Sequence, residues 1–234
     1  MPDFSRRSYE PELMDDLTLG NEALAQNLRE LEYVNTYLGG NAVAAKGLQY
    51  FVRQSKLPLS VADVGCGGGD TLRYFAQWAQ KRNIPLQLAG YDANPFMVNY
   101  ACTHPRNHPS ISYHCIDLWS EKFDNVQPDV FMLSLFCHHF TDEELVHLLG
   151  KLLQQAHKGI IINDLHRHPL AYYSIKWLTR GLRGSYLVQN DAPLSVLRAF
   201  RKKELEQLLQ QVVPHGRFRI SWHWAFRYLV LIEK

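Results

Sequence analysis

The stretch Val61-Ala62-Asp63-Val64-Gly65-Cys66-Gly67-Gly68-Gly69-Asp70 decides the fold, because an apolar β-type run ends there in four glycines interrupted by one cysteine. Glycine allows the backbone a positive φ and lets a ligand approach the main chain where a Cβ would collide. The residues that follow, Thr71 to Ala79, carry apolar side chains at helical spacing. The turn therefore opens a helix, and the helix N-terminus favours an anionic group. This reads as a nucleotide-binding strand-to-helix turn. A phosphate-cradling loop needs Lys followed by Ser or Thr after its last glycine, where this chain has Asp70-Thr71. A dinucleotide turn needs G-x-G-x-x-G, and counting from Gly65 and Gly67 puts Asp70 in the place of the third glycine. The pattern present is D-x-G-x-G-x-G, formed by Asp63, Gly65, Gly67 and Gly69.

Outward from this turn the chain alternates. Strand candidates are Leu59 to Val64, Leu86 to Tyr91, Ser112 to Cys115, Val130 to Leu135 and Gly159 to Asn163. Several are nearly continuous apolar runs, as expected of central parallel strands covered on both faces. Residues 1–57 read as a helical N-terminal extension, with Leu24, Leu28, Leu31, Val34 and Leu38 on one stripe, ended by Gly39-Gly40, and a second helix from Ala42 to Gln54. Residues 58–234 read as the nucleotide-binding domain, interrupted at about 165–200 by a helical cap rich in aromatic residues. A helix from about Arg201 to Val212 follows, and Phe218 to Trp224 and Arg227 to Ile232 are close enough to pair antiparallel. The fold class is α/β, a doubly wound, mostly parallel seven-stranded sheet with an N-terminal helical extension and a cap insertion.

The 234 residues carry a formal net charge of +2 and are 46% hydrophobic, too balanced for a nucleic-acid surface. A small molecule is the expected partner, and the oligomeric state is left open. Cys66, Cys102, Cys115 and Cys137 are dispersed without a C-x-x-C pair, which suits a reducing cytoplasm. The first residues lack a signal-peptide core and no apolar run approaches the roughly 18 residues of a membrane span.

Taken in order, these segments resemble class I S-adenosylmethionine-dependent methyltransferases, and the resemblance covers Leu59 to Asn163 together with the terminal hairpin. It implies a Rossmann-like methyltransferase fold with Asp63, Gly65, Cys66, Gly67 and Gly69 around the methyl donor. Asp92, next to Ala93 at the end of the second strand, matches the acid placed on the ribose hydroxyls, where an ionised carboxylate accepts two bonds. Asp117-Leu118 matches the position that meets the adenine. Ser134-Leu135-Phe136-Cys137-His138-His139-Phe140 matches the segment under the methionine part. The implied cofactor is S-adenosylmethionine, leaving S-adenosylhomocysteine as product.

Methyl transfer from a sulfonium is an in-line displacement that mostly requires alignment and exclusion of water. A phenol acceptor must also lose its proton, and imidazole suits that task. His138 and His139 follow the fourth strand, and His166 and His168 follow the fifth; His166 is the favoured base, with His139 and His138 behind it. Arg167, Tyr172, Tyr173 and Trp177 in the cap are the expected substrate contacts, since aromatic rings pack around a flat acceptor. No metal is expected, because Asn163-Asp164 has no acid to join it at the end of the fourth strand. The motif that receives a flipped base is also missing after that strand.

A narrower resemblance rests on Glu12-Leu13-Met14-Asp15-Asp16, Asn35-Thr36-Tyr37-Leu38-Gly39-Gly40, Asn163-Asp164-Leu165-His166-Arg167 and Ser195-Val196-Leu197-Arg198-Ala199-Phe200. These segments are similar to bacterial small-molecule methyltransferases of secondary metabolism found with type III polyketide synthases. It implies O-methylation of a phenolic or quinol-type product, with the extension containing Tyr33 and Tyr37 as a lid. Carbon or nitrogen methylation of another small molecule, and a non-catalytic S-adenosylmethionine-binding protein, are the alternatives.

Overall fold

The apolar runs flanking the glycine turn become the middle of a sheet because each residue meets a helix on one face or the other. Val61, Val130, Met132 and Ile161 pack into one buried cluster, whereas their neighbours Ala62, Phe131, Leu133, Ile160 and Ile162 pack into another. With both faces covered, no polar alternation is tolerated, and the runs read as continuous. The computed structural model describes residues 2–55, 58–214 and 216–234.

Among the described residues seven strands form one sheet: β1 (Leu59–Val64), β2 (Leu86–Asp92), β3 (Ile111–Cys115), β4 (Val130–Ser134), β5 (Gly159–Leu165), β6 (Arg217–His223) and β7 (Arg227–Glu233), in the order β3-β2-β1-β4-β5-β7-β6. β1 to β5 run parallel and β7 is antiparallel to both β5 and β6. This is the expected doubly wound sheet closed by a terminal hairpin. One strand differs in a way that matters. β5 continues through Asp164 and Leu165, paired with Tyr228 and Arg227 of β7, so Asp164 is held on rigid backbone rather than in a loop.

The helices are α1 (Glu22–Tyr37), α2 (Gly40–Gln54), α3 (Asp70–Gln80), α4 (Pro95–Thr103), α5 (Asp142–Gln155), α6 (Pro169–Gly181), α7 (Tyr186–Arg198) and α8 (Lys202–Val212). α2 and α3 cover one face of the sheet, and α5 and α8 the other. α2 begins at Gly40, two residues before the expected start, because Gly39 takes the left-handed conformation that turns the chain out of α1. α6 and α7 pack on each other, and α7 packs on α1, at the carboxyl edge of the parallel strands. The expected boundary at residue 57 lies outside the described residues.

Candidate active site

At the carboxyl edge, β1 ends at Val64 and the chain turns through the four glycines into α3. Gly65 has φ +68°, and a Cβ there would stand 2.2 Å from the Phe136 ring, so both conformation and space require glycine. The Gly67 amide donates to Asp92 Oδ2 at 2.9 Å, and the Asn94 amide donates to Asp92 Oδ1 at 2.9 Å. Asp92 thus ties the end of β2 to the glycine turn and, with about four acceptor positions on its two oxygens, keeps capacity for ligand hydroxyls. Burial pushes its carboxyl above the ordinary range, against the pull of the backbone amides. Asp63, next to the turn, is almost completely buried and its Oδ1 has no partner among the described residues. Burial, with Asp70 and Asp92 nearby, pushes Asp63 well up.

A cleft of about 80 Å³ follows the turn, lined by Asp63, Gly65, Cys66, Gly67, Gly68, Asp70, Ser134 and Leu135 and closed above by Met14, Leu28, Leu31 and Asn35. Asp92 meets this cleft through Gly67. Ala93, Asp117 and Leu118 do not line it. Asp117 sits on an exposed turn after β3, where its Oδ1 accepts from the Trp119 amide at 2.9 Å. Gly69, φ +76°, opens α3 and packs on Tyr113 rather than lining the cleft.

Beside it lies a second cavity of about 330 Å³, lined mainly by apolar side chains of α1 (Leu31, Val34), α6 (Ala171, Ile175, Leu178), α7 (Ala192, Val196) and the β6–β7 turn (Trp224, Phe226). Its polar end carries Glu12, His138, His139 and Ser195. Met14, Leu31 and Leu135 line both spaces, so the two adjoin. Leu135, just past β4, has φ +53°, and its amide donates to the Asn163 carbonyl at 2.9 Å. A non-glycine residue in that region marks a backbone held by its surroundings.

His138 and His139 stand in a short 3-10 turn, Cys137–His139, after β4, and each meets a carboxylate from a different element. His138 Nδ1 is 2.7 Å from Asp164 Oδ1, and its Nε2 is 3.5 Å from Glu12 Oε1, all three side chains being buried. Burial works against its charge, but the two carboxylates win and the imidazole is pushed up to about 9. His139 Nδ1 is 2.6 Å from Asp15 Oδ1. Burial opposes ionisation of Asp15, yet the hydrogen bond and charge of His139, with Arg198, bring it down to about 2. Arg198, at the end of α7, donates to the carbonyls of His138, His139 and Glu10 and to Asp15 Oδ2. It therefore clamps the histidine turn to the N-terminal strap, residues 3–16. Asp191 holds the strap as well, accepting from the Leu13 and Met14 amides. Glu12, His138 and His139 place three possible metal-ligand atoms within 4.8 Å of one another. Arg198, 3.8 Å from Glu12 and 3.0 Å from Asp15, already supplies positive charge there.

Several expected contacts fall elsewhere. His166 lines neither space; its Nδ1 accepts from Trp222 Nε1 at 3.3 Å, and it packs among His168, Phe226 and Tyr228. Burial, then the charges of His168, Arg201 and Arg167, lower it to about 4, which makes it a weak base near neutrality. Arg167 is wholly buried away from the cavity, donating to the carbonyls of Phe4 and Ala199 and paired with Glu204. On α6 the inward positions are 171, 174, 175 and 178. Helical phase turns Tyr173 and Trp177 outward, and Tyr172 packs on Phe4 instead. Tyr33 and Tyr37 are likewise exposed and outside both spaces. Glu12, Asp15, Asp164, Ser195 and Arg198 were missed as site residues, although all lie in segments quoted for the narrower resemblance.

Residues 61–159 match the family model described as a methyltransferase domain. Solved structures agree in fold. The plantazolicin methyltransferase BpumL, in complex with a monoazolic desmethylPZN analog and SAH, superposes with a TM-score of 0.63 at 18% identity over 91% of this chain and 89% of its own. Human N-acetylserotonin methyltransferase with SAM gives 0.66 at 17% identity, covering 97% of this chain and 60% of that one. Magnesium protoporphyrin IX methyltransferase (ChlM) from Synechocystis PCC 6803 with bound SAM gives 0.52 at 16%, over 84% and 80%. No curated protein matches the sequence. The matched residues span the glycine turn, Asp92, Asp117 and the histidine turn, and α1, α6 and α7 stand outside them. No helix among the described residues is long and apolar enough to cross a membrane.

Proposed function

We propose that this methyltransferase transfers a methyl group from S-adenosylmethionine to a hydroxyl of a small, largely apolar aromatic molecule, with His139 as general base. The observation that carries this reading is the junction of the two spaces, where Leu135 separates the glycine-turn cleft from an apolar cavity whose polar end is His139 bonded to Asp15.

The residues fit the donor. The orphaned Asp63 oxygen and the buried Asp92 carboxylate are hydrogen-bond acceptors at the glycine turn, suited to an ammonium group and to ribose hydroxyls. Gly65, Cys66, Gly67 and Gly69 form the turn; Ser134 and Leu135 border the methionine side, and the adenine is assigned to Ala93, Asp117 and Leu118, which lie beyond the cleft's own walls. When bound, S-adenosylmethionine supplies an electrophilic methyl carbon. The chain's own work is to bind the acceptor beside it, exclude water with the helices over the edge, and accept the hydroxyl proton.

Asp15 fixes the His139 ring by accepting at Nδ1, which leaves Nε2 to take that proton. His138, held charged between Asp164 and Glu12, is unsuited to accept a proton and serves as a fixed cation beside the acceptor oxygen. The ring of the acceptor rests against Ile175, Leu178 and Phe226. Phenolic or quinol products of a type III polyketide synthase, in a cytoplasmic secondary pathway, fit this apolar space. The convergence of Glu12, Asp15, Asp164, Ser195 and Arg198 supports that narrower kinship.

Calorimetry with S-adenosylhomocysteine tests the donor, and the absence of binding at millimolar ligand would end the proposal. Turnover of a phenol and quinol panel with labelled methyl donor tests the acceptor. His139→Gln should lower kcat by about 10² or more, in the range for loss of a general base. A rate within tenfold of wild type would remove His139 from that role.

A further inference from the structure

Arg227 begins β7 and faces α2, paired in register with Leu165 of β5. Arg227 is one of the residues that line the acceptor cavity, and it is only 2% exposed. Nη2 donates to Asn35 Oδ1 at 2.9 Å, but Nε and Nη1 have no partner among the described residues. No carboxylate lies within 4.0 Å of it among those residues; Asp164 is committed to His138, and Asp70 accepts from Asn35 and Asn41. Burial lowers Arg227 to about 10, against the attraction of Asp164 and Asp70, so the guanidinium stays charged near neutrality. Space has been kept for it, because a Cβ on Gly40 would stand 2.9 Å from its Cζ.

A buried guanidinium with two unanswered N–H groups is costly, and beside a cavity such groups call for a water, an ion or a ligand group that reaches them. The planar fork matches a carboxylate with two parallel bonds, which a lone hydroxyl cannot offer. Apart from the polar end at Glu12, His138, His139 and Ser195, the remaining walls are mainly apolar, so an acceptor with a hydroxyl for that end and one anionic group for Arg227 suits the cavity.

We propose that Arg227 receives a carboxylate or equivalent oxyanion of the acceptor, which makes the substrate an aromatic hydroxy acid rather than a neutral phenol. This rests on the methyltransferase reading above. Asn35, which holds Arg227, also borders the donor cleft, so the amino-acid carboxylate of the donor is the competing source of the anion.

The test uses calorimetry on wild-type protein and Arg227→Gln, with four probes: benzoate, benzamide, S-adenosylhomocysteine and its carboxamide. Benzoate and benzamide are titrated with the donor site saturated by S-adenosylhomocysteine. The expected result is benzoate bound at least tenfold more tightly than benzamide by wild type, with that preference lost in the variant and S-adenosylhomocysteine changed less than twofold. Equal binding of benzoate and benzamide by wild type overturns the proposal, and this arm holds even if the variant fails to fold. A tenfold loss confined to S-adenosylhomocysteine, absent for its carboxamide, assigns Arg227 to the donor and also overturns it. Failure of S-adenosylhomocysteine to bind wild type defeats the methyltransferase reading instead, and benzoate against benzamide then decides the anion site alone.

Discussion

At the scale of single residues, the two adjacent histidines illustrate how environment divides roles between identical side chains. His138 sits among buried carboxylates and His139 in the cavity wall against a strap carboxylate. The first carries a stability signature. Its folded value of about 9 lies above the unfolded value of 6.5, so the stabilisation is fully present below pH 6.5 and is lost as pH rises through 9. Asp164 reports the same pair from the acid side, since His138 holds it below its ordinary value although burial opposes this, and its contribution is lost as pH falls through the carboxylate range. The shift corresponds to at most about 3 kcal/mol, or a fall in Tm of roughly 6 to 12 °C for a chain of this size. Thermal melts from pH 6 to 10 should show that fall in wild type and a flatter profile in His138→Gln. A variant that keeps the full slope would place the titrating group elsewhere. His166 could not be separated from these two by sequence, because strand-edge position is shared and only packing lowers it to about 4.

Among elements, the glycine turn was the most legible because its constraint is local. A left-handed φ and a closed approach both act within a few residues of Gly65. Gly65→Ala should push Phe136 and the start of α3 apart and weaken S-adenosylhomocysteine binding by about tenfold or more, since strain there adds to steric overlap. Gly150, inside α5 with nothing near its Cβ position, supplies the contrast. Gly150→Ala should stabilise by about 0.5 to 1 kcal/mol through helix propensity and leave that affinity unchanged. Equal losses in both variants would show that the turn carries no special constraint. The strands were legible for a similar reason, as each buried run is short and continuous. The cap was not, because aromatic content drew attention to Tyr173 and Trp177, whereas helical phase decides which side of α6 faces inward. Asp164 was hidden too, since an acid at a strand end reads as loop until β7 pairs with it.

For the whole molecule, the N-terminal strap was the least legible part. Residues 3–16 have no periodicity, and they are placed by distant partners: Arg7 by Asp142 and the carbonyls of His138 and Phe140, the 3-10 turn Leu13–Asp15 by Asp191 and Arg198. Such contacts span more than a hundred residues of sequence and leave no local pattern. Their consequence is a narrow donor cleft covered by N-terminal side chains. About 80 Å³ under Met14, Leu28 and Leu31 is well below the roughly 300 Å³ at which ligand sites begin. We therefore expect donor entry to move the strap and α1 off the sheet edge, whereas α2, packed in the core against the sheet, stays with the domain. Binding then draws on the same elements twice, once to open and once to close on the ligand. At a concentration of about 100 Kd, S-adenosylhomocysteine should stabilise the fold by about 2.7 kcal/mol, raising Tm by roughly 5 to 11 °C. Hydrogen exchange distinguishes a lid from a rigid cover. Amides of α1 and of the turn Leu13–Asp15 should exchange at least tenfold more slowly with ligand bound, together with those around Gly67 and Asp92. Protection confined to the glycine turn and the end of β2, with α1 unchanged, would show that the donor enters without moving the N-terminal elements.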